Sequence, residues 1–311
     1  MAGRRRSQLR LVFFGTSEFA VPILEAVHSD VSLVVTQPAR PVGRKKELAS
    51  TSVAMAAMEL GIPVATPERA RAKEFVKEVA AERPDALVVA SYGQILSEAM
   101  LAAAIRGGIN FHASILPAYR GAAPIQRAIL AGETLTGVTL MQMDKGMDTG
   151  DIIASESLTI GPTETEGELE ARLAQLAASM AHEWLARVVA GDYPRRPQDE
   201  RLTTYAPKMG REDGVIALDM PVEAAYRIYR AATPRPGCTI ETRLGSLKVH
   251  TCRTESLVGR PGEVLGIERG LTVSLQGGSL TLDRVQSPGK QPLAGNDFAH
   301  GKRLTIGDNL L

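Results

Sequence analysis

The stretch INFHASILPAYRGAAPIQRAIL, residues 109–130, decides the fold. Ile109 and Phe111 are apolar and favour a buried strand, while Asn110 and His112 alternate with them. Because successive side chains of a strand point to opposite faces, the amide and the imidazole share one face. The chain then becomes irregular, and a helical pattern resumes at about residue 124. The stretch therefore predicts a strand that ends in polar groups and is followed by a loop and a helix.

The same alternation of strand and helix runs through residues 1–190. Strand signals lie at residues 9–15, 31–37, 62–65, 85–93, 108–114 and 136–143. Helix signals separate them, and a long helix is predicted from Glu166 to Ala190. Continuous apolar strands between helices are typical of a doubly wound, mostly parallel α/β sheet of Rossmann-like type. Ligands of such sheets bind outside the carboxyl ends of the strands, which is where Asn110 and His112 are expected.

Residues 191–208 are polar and rich in proline, which predicts a linker. From residue 209 to 311 a helix is followed by short strands with glycine turns. This pattern predicts a small antiparallel β-barrel, similar to an oligonucleotide-binding (OB) barrel. Three regions are thus expected, with boundaries 1–190, 191–208 and 209–311.

Composition narrows the class of protein. The 311 residues carry a formal net charge of +1, so the overall charge does not indicate a nucleic-acid-binding protein. Only 4% of the residues are aromatic, which argues against a surface on which the bases of single-stranded nucleic acid would stack. The two cysteines make neither a disulfide framework nor a zinc site. The apolar run near the N-terminus is too short for a signal peptide, and no run approaches about 18 residues. We expect a cytoplasmic protein with no membrane partner.

The first strand-to-helix turn, FFGTSEFAVPIL at residues 13–24, argues against a nucleotide cofactor. A dinucleotide fold would require G-x-G-x-x-G here, but only Gly15 is present, and Glu18 would repel a pyrophosphate. NAD and ATP are therefore not expected, and Gly15 is interpreted as a tight turn.

Asp148, after the strand at residues 136–143, completes a trio with Asn110 and His112 if the two strands are neighbours. Such a trio suits acyl transfer to an amine. Asparagine and imidazolium donate to a tetrahedral oxyanion, while a carboxylate orients the histidine and helps to remove a proton. The alternative is a satisfied polar strand end, with Asp144, Asp148 and Asp151 forming a solvated turn or a weak cation site. No metal is expected.

A resemblance agrees with the catalytic interpretation. NFHASILPAYRGAAPIQRAI (110–129), TGVTLMQMDKGMDTGDII (136–153), FFGTSEFAVPIL, VVTQPARPVGRKK, VVASYGQIL and TTYAPKM resemble the folate-dependent formyltransferases, and among them the branch that formylates methionyl-tRNA. The resemblance implies transfer of a formyl group from 10-formyltetrahydrofolate to the α-amine of methionyl initiator tRNA for translation initiation. It implies catalytic roles for Asn110, His112 and Asp148. The folate-binding residues it implies are Ser114, Ile115, Leu116, Pro117, Val89, Tyr92, Ile95 and Leu96.

The basic insertion at residues 36–52 carries Arg40, Arg44, Lys45 and Lys46, and its prolines and glycine predict irregular structure. By composition it is a solvated loop. The resemblance implies instead that it contacts the acceptor end of the tRNA, with Arg44 as the principal contact. Further candidates in the C-terminal domain are Arg227, Arg230, Arg235, Lys248, Lys290, Lys302 and Arg303. We expect a monomer.

Two alternatives stay open at this point. A formyltransferase acting on an amino-sugar nucleotide would share the trio, but a small substrate needs no basic insertion. A non-catalytic RNA- or folate-binding protein would not require a histidine and an aspartate beside an asparagine.

Overall fold

A computed structural model describes residues 9–42 and 47–311. The chain divides into two compact units. The first comprises residues 1–124, 135–159 and 170–206, and the second comprises residues 125–134, 160–169 and 207–311. None of the helices in the described ranges has an apolar stretch that would span a bilayer.

The first unit is built on a mixed α/β pattern. Its strands are β1 (Leu11–Gly15), β2 (Val31–Val35), β3 (Arg40–Val42), β4 (Glu47–Ala49), β5 (Val64–Ala65), β6 (Ala86–Ala90), β7 (Gly108–His112), β8 (Arg120–Gly121), β9 (Leu135–Gln142), β10 (Ile152–Thr159) and β11 (Tyr205–Ala206). The helices up to residue 190 are α1 (Ala20–Val27), α2 (Ser52–Glu59), α3 (Lys73–Ala81), α4 (Glu98–Leu101), α5 (Pro124–Ala131) and α6 (Glu166–Ala190). Most of α5 belongs to the second unit, and α6 belongs to the first from residue 170 onward.

Seven of these strands form one sheet in the order β10-β9-β7-β6-β1-β2-β5. The pairs from β7 to β5 are parallel, whereas β9 is antiparallel to β7 and β10 is antiparallel to β9. The predicted doubly wound, mostly parallel sheet is confirmed. The antiparallel edge was not predicted, because the three consecutive polar residues 155–157 of β10 hide its strand pattern.

One face of the sheet is covered by α3 and α4. Val12, Phe14 and Leu87 of the strands share a buried cluster with Phe75 and Met100 of these helices. Side chains of alternate strand residues pack there because the strand period is two. This face is important for the site, since Asn110 is in register with Val89, which belongs to the same cluster.

The second unit contains the C-terminal sheet. Its elements are β12 (Val215–Ile216), α7 (Val222–Ala232), β13 (Cys238–Thr242), β14 (Gly245–Glu255), β15 (Val264–Gly266), β16 (Leu271–Leu275), β17 (Gly278–Gln286), β18 (Leu293–Ala294) and α8 (Gly295–Gly301). The strand order is β12-β13-β14-β17-β16-β15, with β18 on β17, and only β12 and β13 pair in parallel. The antiparallel barrel prediction is thus confirmed as a half-barrel sheet.

Two short strand pairings, one antiparallel and one parallel, lie outside the large sheets. The basic insertion forms the antiparallel pair β3–β4, so the expectation of irregular structure there is wrong for its two flanks. Strand β11 pairs with β8, which places the end of the predicted linker in the first unit. The boundaries 1–190, 191–208 and 209–311 stay a prediction.

Candidate active site

Strand β7 carries the two polar side chains of Asn110 and His112. Ile109 and Phe111 are buried, and Asn110 and His112 alternate with them at 9% and 6% exposure. The strand lies between β6 and β9, so its backbone groups are paired on both sides. His112 is its last residue. A rigid, central strand therefore carries the pair to the carboxyl end of the sheet, as predicted.

Asp148 reaches this pair by a route that the sequence did not predict. It was expected at a neighbouring strand end, but β9 is antiparallel to β7, so Gln142 at the end of β9 lies opposite Ile109. The loop between β9 and β10 must therefore turn back toward His112. Asp148 has a left-handed backbone, with φ of 56°. Only glycine fits at position 150, since a Cβ there would lie 1.8 Å from the carbonyl oxygen of Gln142.

The trio nevertheless assembles around one carboxylate. Asn110 Nδ2 lies 3.5 Å from Asp148 Oδ1, and His112 Nδ1 lies 3.6 Å from Oδ2. The backbone N–H of Gly121 donates to Oδ2 at 2.9 Å. Both side-chain distances exceed those of ordinary hydrogen bonds, so Asp148 contacts Asn110 and His112 more loosely than it contacts Gly121. The Asp148 side chain is 16% exposed and so is open to a ligand.

His112 is held at both ring nitrogens. Its Nε2 lies 2.9 Å from the backbone carbonyl of Tyr119, while Nδ1 faces the Asp148 carboxylate. Both neighbours are hydrogen-bond acceptors, so only a ring protonated at both nitrogens donates to both. Such a ring donates to a developing oxyanion when that oxygen replaces one of these two acceptors.

A pocket of about 190 Å³ opens beside Asp148. Its walls are mostly apolar, as expected for a small-molecule site with a few polar groups. The lining residues are Gln94, Ile95, Leu96, Met141, Met143, Asp144, Lys145, Gly146, Met147 and Asp148. Met141 is the ladder partner of Asn110, so this pocket lies on the face that carries the trio.

The predicted folate residues occupy three kinds of position. Ile95 and Leu96 line the pocket, and Ile95 is 84% exposed. Val89 and Tyr92 lie in the buried cluster under α3 and α4 instead. Burial raises the pKa of Tyr92 to about 12, and its hydroxyl has no hydrogen-bond partner among the described residues. Tyr92 is therefore a packing group rather than an acid or a base.

Hydrogen bonds to Ala118 and Thr139 hold the loop Ser114–Pro117. The Ser114 hydroxyl donates to the carbonyl of Ala118 at 2.6 Å, and Thr139 Oγ1 donates to the carbonyl of Ser114 at 2.7 Å. The Leu116 N–H donates in turn to Thr139 Oγ1 at 3.0 Å. Ser114 and Leu116 are buried, whereas Ile115 and Pro117 are partly exposed. The assignment of this loop to folate stays a prediction.

The segment 193–206, called here the brace segment, was missed as part of the site. Gln198 Nε2 donates to the backbone carbonyls of Asp148 and Gly150, both at 2.8 Å. Gln198 Oε1 accepts from Arg120 Nε and Nη2 at 3.0 and 2.8 Å. Arg120 is 1% exposed and also pairs with Glu200 at 2.8 Å. No local pattern in this polar, proline-rich segment could have revealed these contacts.

The brace segment also holds the loop that follows β7. Thr204 Oγ1 accepts from the N–H of Tyr119 at 2.8 Å, and the Thr204 carbonyl accepts from the N–H of Arg120 at 2.9 Å. The N–H of Ala123 donates to the carbonyl of Ala206 at 3.1 Å. Tyr119 and Gly121, which contact His112 and Asp148, thus depend on residues some 80 positions away.

The basic residues are only partly placed. Arg40 is exposed, and its Nη2 donates to Gln37 Oε1 at 2.8 Å. Arg44, Lys45 and Lys46 lie outside the described residues. In the second unit Arg230 is buried and donates to the carbonyls of Glu164 and Gly161, so its place among the RNA candidates is corrected to a structural one. Exposed basic candidates are Arg235, Lys248, Lys290, Lys302 and Arg303.

The acidic loop forms no metal cluster within residues 9–42 and 47–311. Asp144 Oδ1 accepts from the N–H of Gly146 and the hydroxyl of Thr149, while Asp151 pairs with Arg195 at 3.0 Å. These two carboxylates fold the loop that delivers Asp148.

Comparison with protein families accounts for nearly the whole chain. A model described as formyl transferase matches residues 9–189, and one described as formyl transferase, C-terminal domain, matches residues 208–303. The methionyl-tRNA formyltransferase of Geobacter metallireducens is 40% identical over 97% of this chain and 98% of its own length. That of Sorangium cellulosum is 43% identical over 96% of this chain and 98% of its own length.

Solved structures share the fold at lower identity. HypX from Aquifex aeolicus in complex with tetrahydrofolic acid is 16% identical, with a TM-score of 0.68, over 98% of this chain and 49% of that one. The N-formyltransferase from Helicobacter canadensis, with folinic acid and dTDP-3-aminofucose, is 18% identical, with a TM-score of 0.64, over 88% of this chain and 98% of that one.

Proposed function

The chain belongs to the formyl transferase family, and from this premise we propose that it formylates the α-amino group of methionyl initiator tRNA with 10-formyltetrahydrofolate. The observation that carries the reaction type is the convergence of Asn110, His112 and Asp148 beside one pocket. The acceptor is supported by methionyl-tRNA formyltransferases that are about 40% identical to this chain over almost its full length.

The reaction exchanges one carbon–nitrogen bond for another. The amine nitrogen attacks the formyl carbon, and the bond between that carbon and N10 of the folate breaks. An α-ammonium group loses two protons overall: one ends on N10 and the other is released to solvent. The products are the N-formyl amino acid on tRNA and tetrahydrofolate.

The trio has a role at each stage of this exchange. Asn110 Nδ2 donates to the oxygen that becomes negative in the tetrahedral intermediate. The imidazolium of His112 donates to the same oxygen when that oxygen replaces the Tyr119 carbonyl at Nε2. Asp148 orients His112 through Nδ1 and accepts a proton from the attacking ammonium, directly or through a water. Its carboxylate is fixed by the N–H of Gly121, so its position does not depend on substrate alone.

The pocket beside Asp148 fits the co-substrate in chemistry. Its apolar walls, among them Ile95, Leu96 and Met141, suit a flat heterocycle, and its polar edge lies next to the trio. We propose that these residues hold 10-formyltetrahydrofolate, which supplies the activated formyl group. In this proposal the loop Ser114–Pro117 borders the pocket through its backbone and its partly exposed Ile115 and Pro117, while Val89 and Tyr92 support the pocket from the core.

For the tRNA we propose the basic insertion, with Arg44 as principal contact and Arg40, Lys45 and Lys46 beside it. Guanidinium groups bond bidentately to phosphate or base edges, whereas lysines act as point charges. The exposed basic residues of the C-terminal sheet would add backbone contacts, which position a nucleic acid without reading its sequence. We propose further that the protein is a monomer and acts in the cytoplasm.

The test is a formylation assay with 10-formyltetrahydrofolate and methionyl initiator tRNA, run beside an amino-sugar nucleotide. We expect formyl-methionyl-tRNA from the wild type and a loss of at least about a hundredfold in His112→Ala. His28→Ala is the matched control, because His28 is exposed and its Nδ1 lies 2.7 Å from a carbonyl of its own turn. If the sugar is formylated and the tRNA is not, the acceptor is the amino-sugar nucleotide. If tRNA binds but no acceptor is formylated, the assignment as an enzyme is wrong.

A further inference from the structure

The loop that carries Asp148 has an unusual backbone conformation. The Asp148 φ of 56° is the left-handed conformation, which residues other than glycine adopt less readily. Two residues later, Gly150 passes so close to Gln142 that no side chain would fit. A loop with this geometry needs partners outside itself to keep the carboxylate beside Asn110 and His112.

We propose that Gln198 is the positioning residue for Asp148, acting through the backbone carbonyls of Asp148 and Gly150, with Arg120 fixing Gln198 from behind. This assignment rests on the proposed function, because its test measures the rate of formylation. Gln198 touches no reacting atom, so its role is to position rather than to catalyse.

The hydrogen bonds of Gln198 allow one orientation of its amide. Both carbonyls at 2.8 Å accept from Nε2, and both Arg120 contacts, at 3.0 and 2.8 Å, donate to Oε1. A flipped amide would direct its oxygen at two carbonyls and its N–H groups at a guanidinium. Every donor and acceptor of the side chain is therefore used, and the plane of the amide is fixed.

The support behind Gln198 is buried and charged. Arg120 is 1% exposed, and its fork also reaches Glu200 Oε1 and Oε2 at 2.8 and 3.1 Å. Its neighbour Gly121 supplies the N–H that contacts Asp148 Oδ2. Arg120 and the brace segment thus hold Asp148 twice, at its carboxylate through Gly121 and at its backbone through Gln198.

The test is a double-mutant cycle on kcat. Gln198→Glu keeps an acceptor for Arg120 but removes the amide donor, and Gln198→Met removes the donor without adding a charge. We expect each to lower kcat about tenfold in the wild type and less than about twofold in an Asp148→Asn background, since coupled residues are not additive. Gln175→Glu, an exposed change on α6, is the control for added charge and should leave kcat unchanged.

The outcomes separate positioning from other roles. Losses that multiply in the Asp148→Asn background would overturn the proposal, because Gln198 would then act independently of Asp148. A loss with Gln198→Glu but none with Gln198→Met would indicate charge rather than geometry and would also overturn it. The proposal would also be overturned if neither variant unfolded cooperatively, because the brace segment would then be needed for the whole fold and not only for Asp148. If the wild type formylates a different amine, the cycle is measured on that amine and tests Gln198 alone.

Discussion

Strand β7 and the brace segment hold the same site in opposite ways. β7 is a regular strand between two others, and it delivers Asn110 and His112 simply by alternating them with Ile109 and Phe111. The brace segment, 193–206, is polar, partly exposed and mostly irregular, and it acts through individual hydrogen bonds to distant loops. The strand places the donors, while the brace segment places what surrounds them.

The difference shows how a precise site is built from unequal parts. The ladder of β7 is buried and cooperative, so its side chains need little further support. The loop that carries Asp148 has a left-handed residue and a glycine contact, and its carbonyls are satisfied from outside by Gln198. Changes in β7 should therefore affect chemistry directly, and changes around the brace segment should affect it through geometry.

The largest effect is expected on the strand. Asn110→Ala removes an oxyanion donor and should lower kcat about a hundredfold, or about 3 kcal/mol in the barrier, with little change in KM for tRNA. Steady-state kinetics with both substrates measures it. Asn110→Asp keeps the shape but loses the donor, so it should be impaired at least as much. A loss below about threefold in Asn110→Ala would mean that Asn110 is not an oxyanion donor.

An intermediate effect is expected where the brace segment meets the loop after β7. Gly121 has φ of 125°, and a Cβ there would lie 2.7 Å from the carbonyl oxygen of Ala206. Gly121→Ala should destabilise the protein by about 1–3 kcal/mol and displace the N–H that contacts Asp148, lowering kcat about tenfold. Urea unfolding and initial rates measure the two effects.

A second glycine gives the matched control. Gly61 has φ of +70°, but a Cβ there would meet nothing within 4 Å. Gly61→Ala should therefore place a side chain at a positive φ without a close contact and leave kcat unchanged. If Gly61→Ala and Gly121→Ala were equally active, the close approach of Ala206 would have no role in the site.

The smallest effect is expected at the exposed end of the brace. A hydrogen bond from Arg120 lowers the pKa of Glu200 below its ordinary value of 4.5. A carboxyl whose folded pKa is depressed stabilises the fold above its unfolded pKa, and this contribution is lost as pH falls through the folded pKa. Glu200→Gln should thus be less stable than the wild type at neutral pH, and the difference should vanish in acid.

Glu200→Gln should have little effect on activity. Glu200 is 70% exposed, and Gln198 still holds Arg120, so kcat should change less than about twofold. Thermal unfolding across acidic and neutral pH measures the stability difference, and Glu59→Gln at the exposed end of α2 removes the same charge as a control. A stability gap that persists at acidic pH would show that the Arg120–Glu200 pair is not its source.

Much of the fold could be predicted from particular stretches. Residues 9–15, 85–93 and 108–114 are apolar runs bounded by turns, and each became a parallel strand. The long helix was predicted from Glu166 to Ala190 and has these bounds. Strand β10 was missed because residues 155–157 are polar and exposed on an edge of the sheet, where burial leaves no apolar pattern.

The site was predicted in part for the same reason. Asn110 and His112 stand out because polar residues in a buried strand are costly and therefore conspicuous. Asp148 was assigned to the site, but its route through an antiparallel edge was not foreseen. Gln198 and Tyr119 lie in loops, and Arg120 and Gly121 form the two-residue strand β8. The local sequence of such short, irregular stretches carries no signal of long-range contacts.

By itself the sequence determined the parallel sheet, the C-terminal half-barrel and the face that carries Asn110 and His112. These follow from periodicity, which depends on burial and on the geometry of neighbouring residues along the chain. Only the tertiary structure decided that Asp148 turns back over β7, that Ser114 and Tyr92 are packed inward, and that the predicted linker holds the site. Hydrogen bonds between loops tens of residues apart form only once the core has placed those loops side by side, and no local pattern encodes them.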